Sequence, residues 1–419
     1  MKSGMGRPVS IYEYGDVYEI TSRLGDQEIR IFAKLGIANW DNISPSSTLL
    51  AERVALSHEG RVLLMGCGHG ATAICLARKL SRGELWLMDV HCITLELASQ
   101  TLKANQVHNT RIYEGISLLP EGAGTFDVVV VDLPKGRKTA QRWLIEAFDL
   151  LSQGGALYLA GAKDWGIRTA IKDAEEIFGE GSVLAYKKGN RIVRFCKTQD
   201  RLPEKGWWRA PGTAPGTWHE FLAETPHGPI TMRSLPGVFS YDRTDEGTAL
   251  LLPFLHVAAQ EHVLDLGCGY GIVGLVAALS GAAQVDLVDE NLLAVASAQE
   301  NLRLHQVSGA NVYPSDVLSA VRDRSYSLIA TNPPFHSGKA VDYRVAQAFI
   351  EQSWQALEKG GRFLLVANRF IRYDRLMEKL YPRVEVKTQT NLYQVLQGEK
   401  PTVRTQRKAL RTTLPEKAQ

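Results

Sequence analysis

Asn332-Pro333-Pro334-Phe335 follows an alternating apolar run, Tyr326–Thr331, and brings together three groups able to hold a planar amino group. Asn332 offers a side-chain amide oxygen, proline's fixed φ keeps a backbone carbonyl rigid, and the aromatic ring gives a stacking face. Two acceptors and a ring can take both protons of an exocyclic NH2 and turn its nitrogen lone pair toward an electrophile. Asn332, Pro333, Pro334 and Phe335 are therefore the candidate catalytic residues. Taken alone, Asn332 would read as an Asx-turn at an ordinary strand end, and Phe335 as a core residue.

A second motif upstream says what the electrophile is. Asp265-Leu-Gly-Cys-Gly-Tyr-Gly271, with Gly274, lets the backbone turn tightly from strand to helix and brings amide N–H groups close to a ligand. Asp289 ends the next strand about 20 residues on, where a carboxylate reaches two ribose hydroxyls. A dinucleotide site would show G-x-G-x-x-G. Here Asp265 suits the amine of a methionine-like moiety and no pyrophosphate needs a cradle, so S-adenosylmethionine fits better than NAD. Asp316 either accepts from the adenine amino group or caps the helix start at Val317-Leu318. The cofactor set is thus Asp265, Gly267, Gly269, Gly271, Asp289, Asp316 and Asn332. His336, Lys339 and Arg344 read as phosphate contacts around an inserted nucleotide, or as a solvated helix start; with Phe335 they form the candidate substrate set.

The elements that position these residues occur twice. Val62-Leu-Leu-Met-Gly-Cys-Gly-His-Gly70 echoes Val263–Gly271, Asp89 and Asp289 lie 200 positions apart, and Tyr113 matches Tyr313 at the same offset. A period of half the chain means duplication of a whole domain. In each half apolar strands alternate with amphipathic helices, which predicts two tandem Rossmann-like α/β domains, each a mostly parallel sheet flanked by helices. Asp132-Leu-Pro-Lys135 falls on Asn332-Pro-Pro-Phe335, and Ile116 on Asp316, so the first copy lacks the clamp and chemistry belongs to the second. The expected boundaries are a degenerate domain over 1–200, a linker over 201–217, a catalytic domain over 218–399 and a basic flexible tail over 400–419. Pro203, Pro211 and Pro215 mark the linker, with Trp207, Trp208 and Trp218 pinning the seam rather than boxing a ligand. Lys135, Arg137 and Lys138 follow the lost clamp and read either as a polyanion contact or as a solvated loop.

Composition agrees with two soluble domains. The 419 residues are 45% hydrophobic and 22% charged, and a net charge of +3 is too small to argue nucleic-acid binding alone. Five cysteines without C-x-x-C spacing point to a reduced compartment and no zinc site, so no metal is expected. Met1–Arg7 carries no apolar signal region and no run approaches a membrane span, so a cytoplasmic monomer is expected.

Most of the chain resembles the bacterial ribosomal RNA guanine-N2 methyltransferases of the small-subunit methyltransferase C and large-subunit methyltransferase G type. The resemblance rests on Pro236-Gly-Val-Phe-Ser240, Asp245-Glu-Gly247, Asn332-Pro-Pro-Phe-His336 with Gly338-Lys339, and Ala367-Asn-Arg-Phe370. In the first half, Leu133-Pro-Lys135 and Gly161 through Ala170 are similar to the family's non-catalytic domain. The resemblance implies methyl transfer from S-adenosylmethionine to the N2 of a guanine in ribosomal RNA, with ribosomal RNA or a ribosomal subunit as partner. One departure is the first glycine turn with Asp89, better preserved than a vestigial copy requires, which leaves a second cofactor site open. The same clamp also serves adenine-N6 and protein-glutamine methylation, although the protein-directed version carries a helical N-terminal domain that is missing here. A rival of another class is a non-catalytic RNA-binding assembly factor; detectable methyl transfer separates it from the enzyme.

Overall fold

Parallel central strands buried on both faces must be continuously apolar, and Val62–Met65 and Val128–Val131 meet that demand at the centre of the first sheet. The computed structural model describes residues 13–116, 124–334 and 340–402. Two compact units divide the chain: the first holds residues up to His219 with Ser234–Val238 and Asn291–Leu293, and the second holds Glu220–Arg233, Phe239–Glu290 and Ala294 onward.

In the first unit a hairpin of β1 (Tyr18–Leu24) and β2 (Gln27–Ala33) precedes α1 (Pro45–Arg53). Ser44 caps α1 by accepting from the Ser47 N–H, and Pro45 opens the helix where no N–H is needed. There follow β3 (Arg61–Met65), α2 (Ala71–Lys79), β4 (Glu84–Met88), α3 (Cys92–Ala104), β5 (Thr110–Tyr113), β6 (Phe126–Asp132), α4 (Arg137–Leu150), β7 (Leu151–Ala162), α5 (Ile167–Phe178), β8 (Ser182–Lys187) and β9 (Asn190–Cys196). The sheet order is β5-β4-β3-β6-β7-β9-β8, parallel from β5 to β7, with β9 antiparallel to both β7 and β8. Past this sheet, Trp208 is buried, donates from Nε1 to the Pro203 carbonyl at 2.8 Å and meets Trp207 edge-on at 5.6 Å.

The second unit repeats the plan. A hairpin of β10 (His219–Thr225) and β11 (Gly228–Ser234) precedes α6 (Glu246–Leu251). Then come β12 (His262–Leu266), α7 (Ile272–Leu279), β13 (Gln284–Asp289), α8 (Leu292–Leu304), β14 (Ala310–Pro314), β15 (Tyr326–Thr331), α9 (Ala340–Ala356), β16 (Leu357–Asn368), α10 (Tyr373–Met377), β17 (Val384–Gln389) and β18 (Tyr393–Glu399). The order β14-β13-β12-β15-β16-β18-β17 matches the first sheet position for position. The β/α alternation of the sequence thus becomes two tandem, mostly parallel sheets, and the antiparallel strands at one edge of each are what the alternation did not foretell. Among the described residues no helix is long and apolar enough to cross a membrane. The expected basic tail lies outside the described residues from 403 onward.

Candidate active site

Strand register sets the two motifs of the second unit side by side. β12 and β15 run parallel with Leu266 opposite Thr331, so Gly267 and Asn332 leave neighbouring strands at the same carboxyl edge. Thr331 Oγ1 donates to the Leu266 carbonyl at 2.7 Å and ties the two strand ends together. The strand order reverses here, with β13 and β14 on one side of β12 and β15 and β16 on the other. Open α/β sheets bind ligands in the crevice at such a point.

Gly267, Gly269 and Gly271 take φ values of +71°, +55° and +84°, a region that side chains with a Cβ rarely enter. The Gly267 and Cys268 N–H groups donate to the Val288 carbonyl at 2.9 and 3.0 Å, and Gly271 N–H to Cys268 at 2.8 Å. Gly269 N–H donates to Asp289 Oδ2 at 2.9 Å, so the carboxylate is already fixed beside the turn. Gly271 closes the turn and lets the chain approach α8: a Cβ there would lie 2.8 Å from that of Ala298.

Asp265 is 2% exposed and accepts from Gly274 N–H at 2.8 Å. Burial pushes its carboxyl up to about 7; the charge of Asp289 adds to the rise and the Gly274 N–H opposes it. A buried acid short of positive charge suits a ligand ammonium. Asp316 stands half-buried beyond β14, and the helical turn Ser319–Val321 that follows has no side-chain cap. Asp316 N–H donates to Ser319 Oγ at 3.0 Å, and its carbonyl accepts from Ser319 N–H at 2.9 Å.

Asn332 is held by residues whose part sequence reasoning missed. Its Nδ2 donates to Asp245 Oδ2 at 2.9 Å and to Thr248 Oγ1 at 2.8 Å. Asp245 is the N-cap of α6 and accepts from Thr248 N–H at 3.0 Å through the same oxygen. A carboxylate only accepts, so the amide must turn its NH2 to Asp245 and its oxygen the other way. That oxygen, Oδ1, is shielded from solvent and meets no donor among the described residues. The Asp-x-x-Thr capping pattern at 245–248 was the available signal. Pro333 is buried, Pro334 exposed, and Arg344 lies half-buried on α9. Phe335, His336 and Lys339 lie outside the described residues.

The first unit keeps the turn and inverts the clamp. Gly66, Gly68 and Gly70 repeat the positive φ values at +79°, +53° and +88°, and Asp89 accepts from Gly68 N–H at 3.3 Å. Leu64 stands where the second unit has Asp265. At the strand end, Asp132 accepts from Ser46 Oγ at 2.8 Å and Ser47 Oγ at 3.0 Å. The acid sits on the strand and the hydroxyls on the capped helix, the reverse of Asp245 and Asn332. Arg137, expected to meet a polyanion, is engaged by Asp173 through Nε at 3.0 Å and Nη2 at 2.7 Å.

This inversion makes a prediction. Burial raises the Asp132 carboxyl to about 6, against the two serine hydroxyls, with the charge of Asp89 adding to the rise. The native state therefore binds a proton more tightly than the unfolded chain, whose value is about 3.9. Stability falls as pH rises through that window, and the ionised acid then costs on the order of 1–3 kcal/mol. Asp132→Asn should raise stability at pH 8, flatten its pH dependence between 4 and 6, and leave methyl transfer within a few fold. Urea titrations across pH check the first two points. Turnover as low as that of Asn332→Ala would refute the assignment of chemistry to the second unit.

A seven-stranded sheet with this order, an acid fixed beside the glycine turn and an oriented amide one strand away define a methyltransferase of the Rossmann-like class. The family described as methyltransferase small domain matches the chain twice, over residues 28–194 and 229–397. The ribosomal RNA small subunit methyltransferase C of Psychromonas ingrahamii is 34% identical over 300 residues, covering 70% of this chain and 80% of that one. That of Pseudomonas entomophila is 31% identical over 354 residues, covering 84% and 98%. A solved structure described as the T. thermophilus 16S rRNA N2 G1207 methyltransferase (RsmC) in complex with AdoMet and guanosine matches with a TM-score of 0.76 at 30% identity, covering 93% of this chain and 99% of that one. The chain belongs to the ribosomal RNA small subunit methyltransferase C family.

Proposed function

We infer that this chain transfers a methyl group from S-adenosylmethionine to the exocyclic N2 of a guanine in ribosomal RNA. The observation that carries this reading is Asn332 Oδ1, a buried acceptor with no donor among the described residues, whose direction Asp245 fixes. The T. thermophilus relative, described with AdoMet and guanosine, supports the same pairing of ligands. When bound, S-adenosylmethionine supplies an electrophilic methyl group. Asp289 would accept from its ribose, Asp265 would face its amine, Asp316 its adenine amino group, and Gly267 and Gly269 would give the backbone room, with Gly271 shaping the turn.

Guanine N2 is conjugated with its ring and is a poor nucleophile. Asn332 Oδ1 and the Pro333 carbonyl would accept its two N–H groups, favouring a pyramidal nitrogen whose lone pair points at the methyl carbon. As the C–N bond formed, the methyl–sulfur bond of the sulfonium would break to leave a neutral thioether, and N2, made acidic, would lose its proton to water without a strong base. Positioning and electrostatics thus supply most of the acceleration, effects worth up to ~7–11 kcal/mol. Phe335 would stack on the base, and a paired guanine would first be turned out of its helix. His336, Lys339 and Arg344 would contact the flanking backbone. Residues 218–399 would be catalytic, 201–217 the linker, and 1–200 would position RNA in a cytoplasmic monomer.

Mapping modified guanines in ribosomal RNA from cells lacking this chain tests the reading. Loss of one N2-methylguanine, restored by the purified protein, is expected; an unchanged guanine map or methyl transfer to adenine overturns it. Cofactor contacts have a separate check. Asp289→Ala should weaken S-adenosylmethionine binding by roughly 1.5–3 kcal/mol, the worth of a charge-assisted hydrogen bond. If Asp265 faces the amine, wild-type affinity should also rise with pH through the raised value of about 7. Calorimetry at pH 6 and 8 reads both, and affinity that is flat with pH removes Asp265 from the set.

A further inference from the structure

We propose that Phe370 and Leu392, on a braced pair of turns beside Asn332, form a stacking seat for an unpaired RNA base neighbouring the methylated guanine. The proposal deepens the ribosomal RNA reading above and rests on it. Phe370 is 80% exposed and Leu392 49%, at the ends of β16 and β18 where those strands pair, Asn368 opposite Tyr393. Exposed large apolar side chains on a loose tip would mean little. These turns are braced.

Phe370 N–H donates to Asn368 Oδ1 at 3.0 Å and Ile371 N–H to the Asn368 carbonyl at 2.9 Å. Arg369 N–H reaches the Leu392 carbonyl at 2.8 Å, which ties the two turns together. Across the second turn Thr390 N–H donates to Tyr393 at 2.7 Å, while Thr390 Oγ1 accepts from Tyr393 N–H at 3.0 Å. The backbone is thus held, and it presents the Phe370 ring to solvent.

The seat is continuous with the catalytic edge. β15 and β16 run parallel with Thr331 opposite Leu365, so strand spacing and rise put Asn368 about 8 Å from Asn332. Tyr393 closes the path, since a Cβ at Gly247 on α6 would lie 3.3 Å from its ring, two residues from the Asp245 that orients the amide. Charge points to a polyanion: Arg369–Arg375 carries three arginines against one aspartate. Turning one base out of a strand leaves its neighbour without a stacking partner, and a flat ring beside arginine offers a sequence-tolerant replacement.

Filter binding of protein-free ribosomal RNA, from cells lacking this chain, to the full-length protein tests the seat. Phe370→Ala should weaken RNA affinity ~5- to 100-fold, the range seen when a stacking ring is removed. Phe370→Trp should keep it, and Phe370→Leu, apolar but without a π-face, should behave like Phe370→Ala. Unchanged S-adenosylmethionine affinity reports that each variant is folded. The proposal is overturned if Phe370→Ala binds RNA like wild type, if Phe370→Leu restores affinity, or if the loss appears only with assembled subunits, which would mark a protein partner. Binding is read without turnover, so a failure of the methylation reading and a failure of the seat give different results.

Discussion

Asn332→Ala should lower methyl transfer by at least ~10²–10³-fold while S-adenosylmethionine affinity stays within a few fold. That magnitude is the cost of removing one preorganised group aimed at developing charge. The separation follows from geometry, because the amide spends its Nδ2 on Asp245 and Thr248 and leaves only Oδ1 for a substrate. Asn332→Asp should be no better, since it would set a second carboxylate against that of Asp245. Single-turnover rates with calorimetric cofactor titrations decide the point. Cofactor loss as severe as that of Asp289→Ala would show that Asn332 belongs to the cofactor site and does not hold the amino group.

The next largest effect is expected at Asp245, which touches no reacting atom and acts through Asn332. Asp245→Ala removes the acceptor that orients the amide and the cap of α6 together. Loss of a cap costs about 0.5–2 kcal/mol of stability, and an amide free to rotate presents NH2 as readily as oxygen. Turnover should fall ~10- to 100-fold in consequence, a share of the loss expected for the amide itself. Asp245→Asn is the informative companion, since its carbonyl can still accept from both Thr248 N–H and Asn332 Nδ2. It should retain turnover to within about fivefold, because geometry rather than charge is what Asp245 contributes. An Asp245→Asn variant as slow as Asp245→Ala would instead assign the effect to the carboxylate's field.

Much of this molecule was legible in its residues. The glycine turns declared themselves because side chains with a Cβ rarely adopt their φ values, and the central strands because burial on both faces demands unbroken apolar runs such as Val128–Val131. The far-edge strands were hidden. Ser182–Lys187 is half exposed, and its hairpin turns through only two residues, Lys188 and Gly189, at φ +48° and +79°. The site showed the same division. Asp289 and Asn332 stand in motifs, whereas Asp245 orients Asn332 from 87 positions away and looks locally like any helix cap. Arg137 read as a free basic residue because its partner Asp173 is 36 positions downstream.

The exchange of acid and partner between the two units also constrains the history of the duplication. If both copies descend from one clamp, two changes separate the first copy from it: the cap's acid became Ser44, and the strand-end amide became Asp132. Serine hydroxyls donate or accept as needed, so they satisfy an amide or an acid at the strand end. Two carboxylates facing each other at one buried site cannot both ionise, so one pays by taking a proton. One order of events is therefore the less costly. Losing the acid at the cap before the acid on the strand arrives avoids an intermediate with two acids in one seat. The same logic orders a return path, with Asp132→Asn before Ser44→Asp.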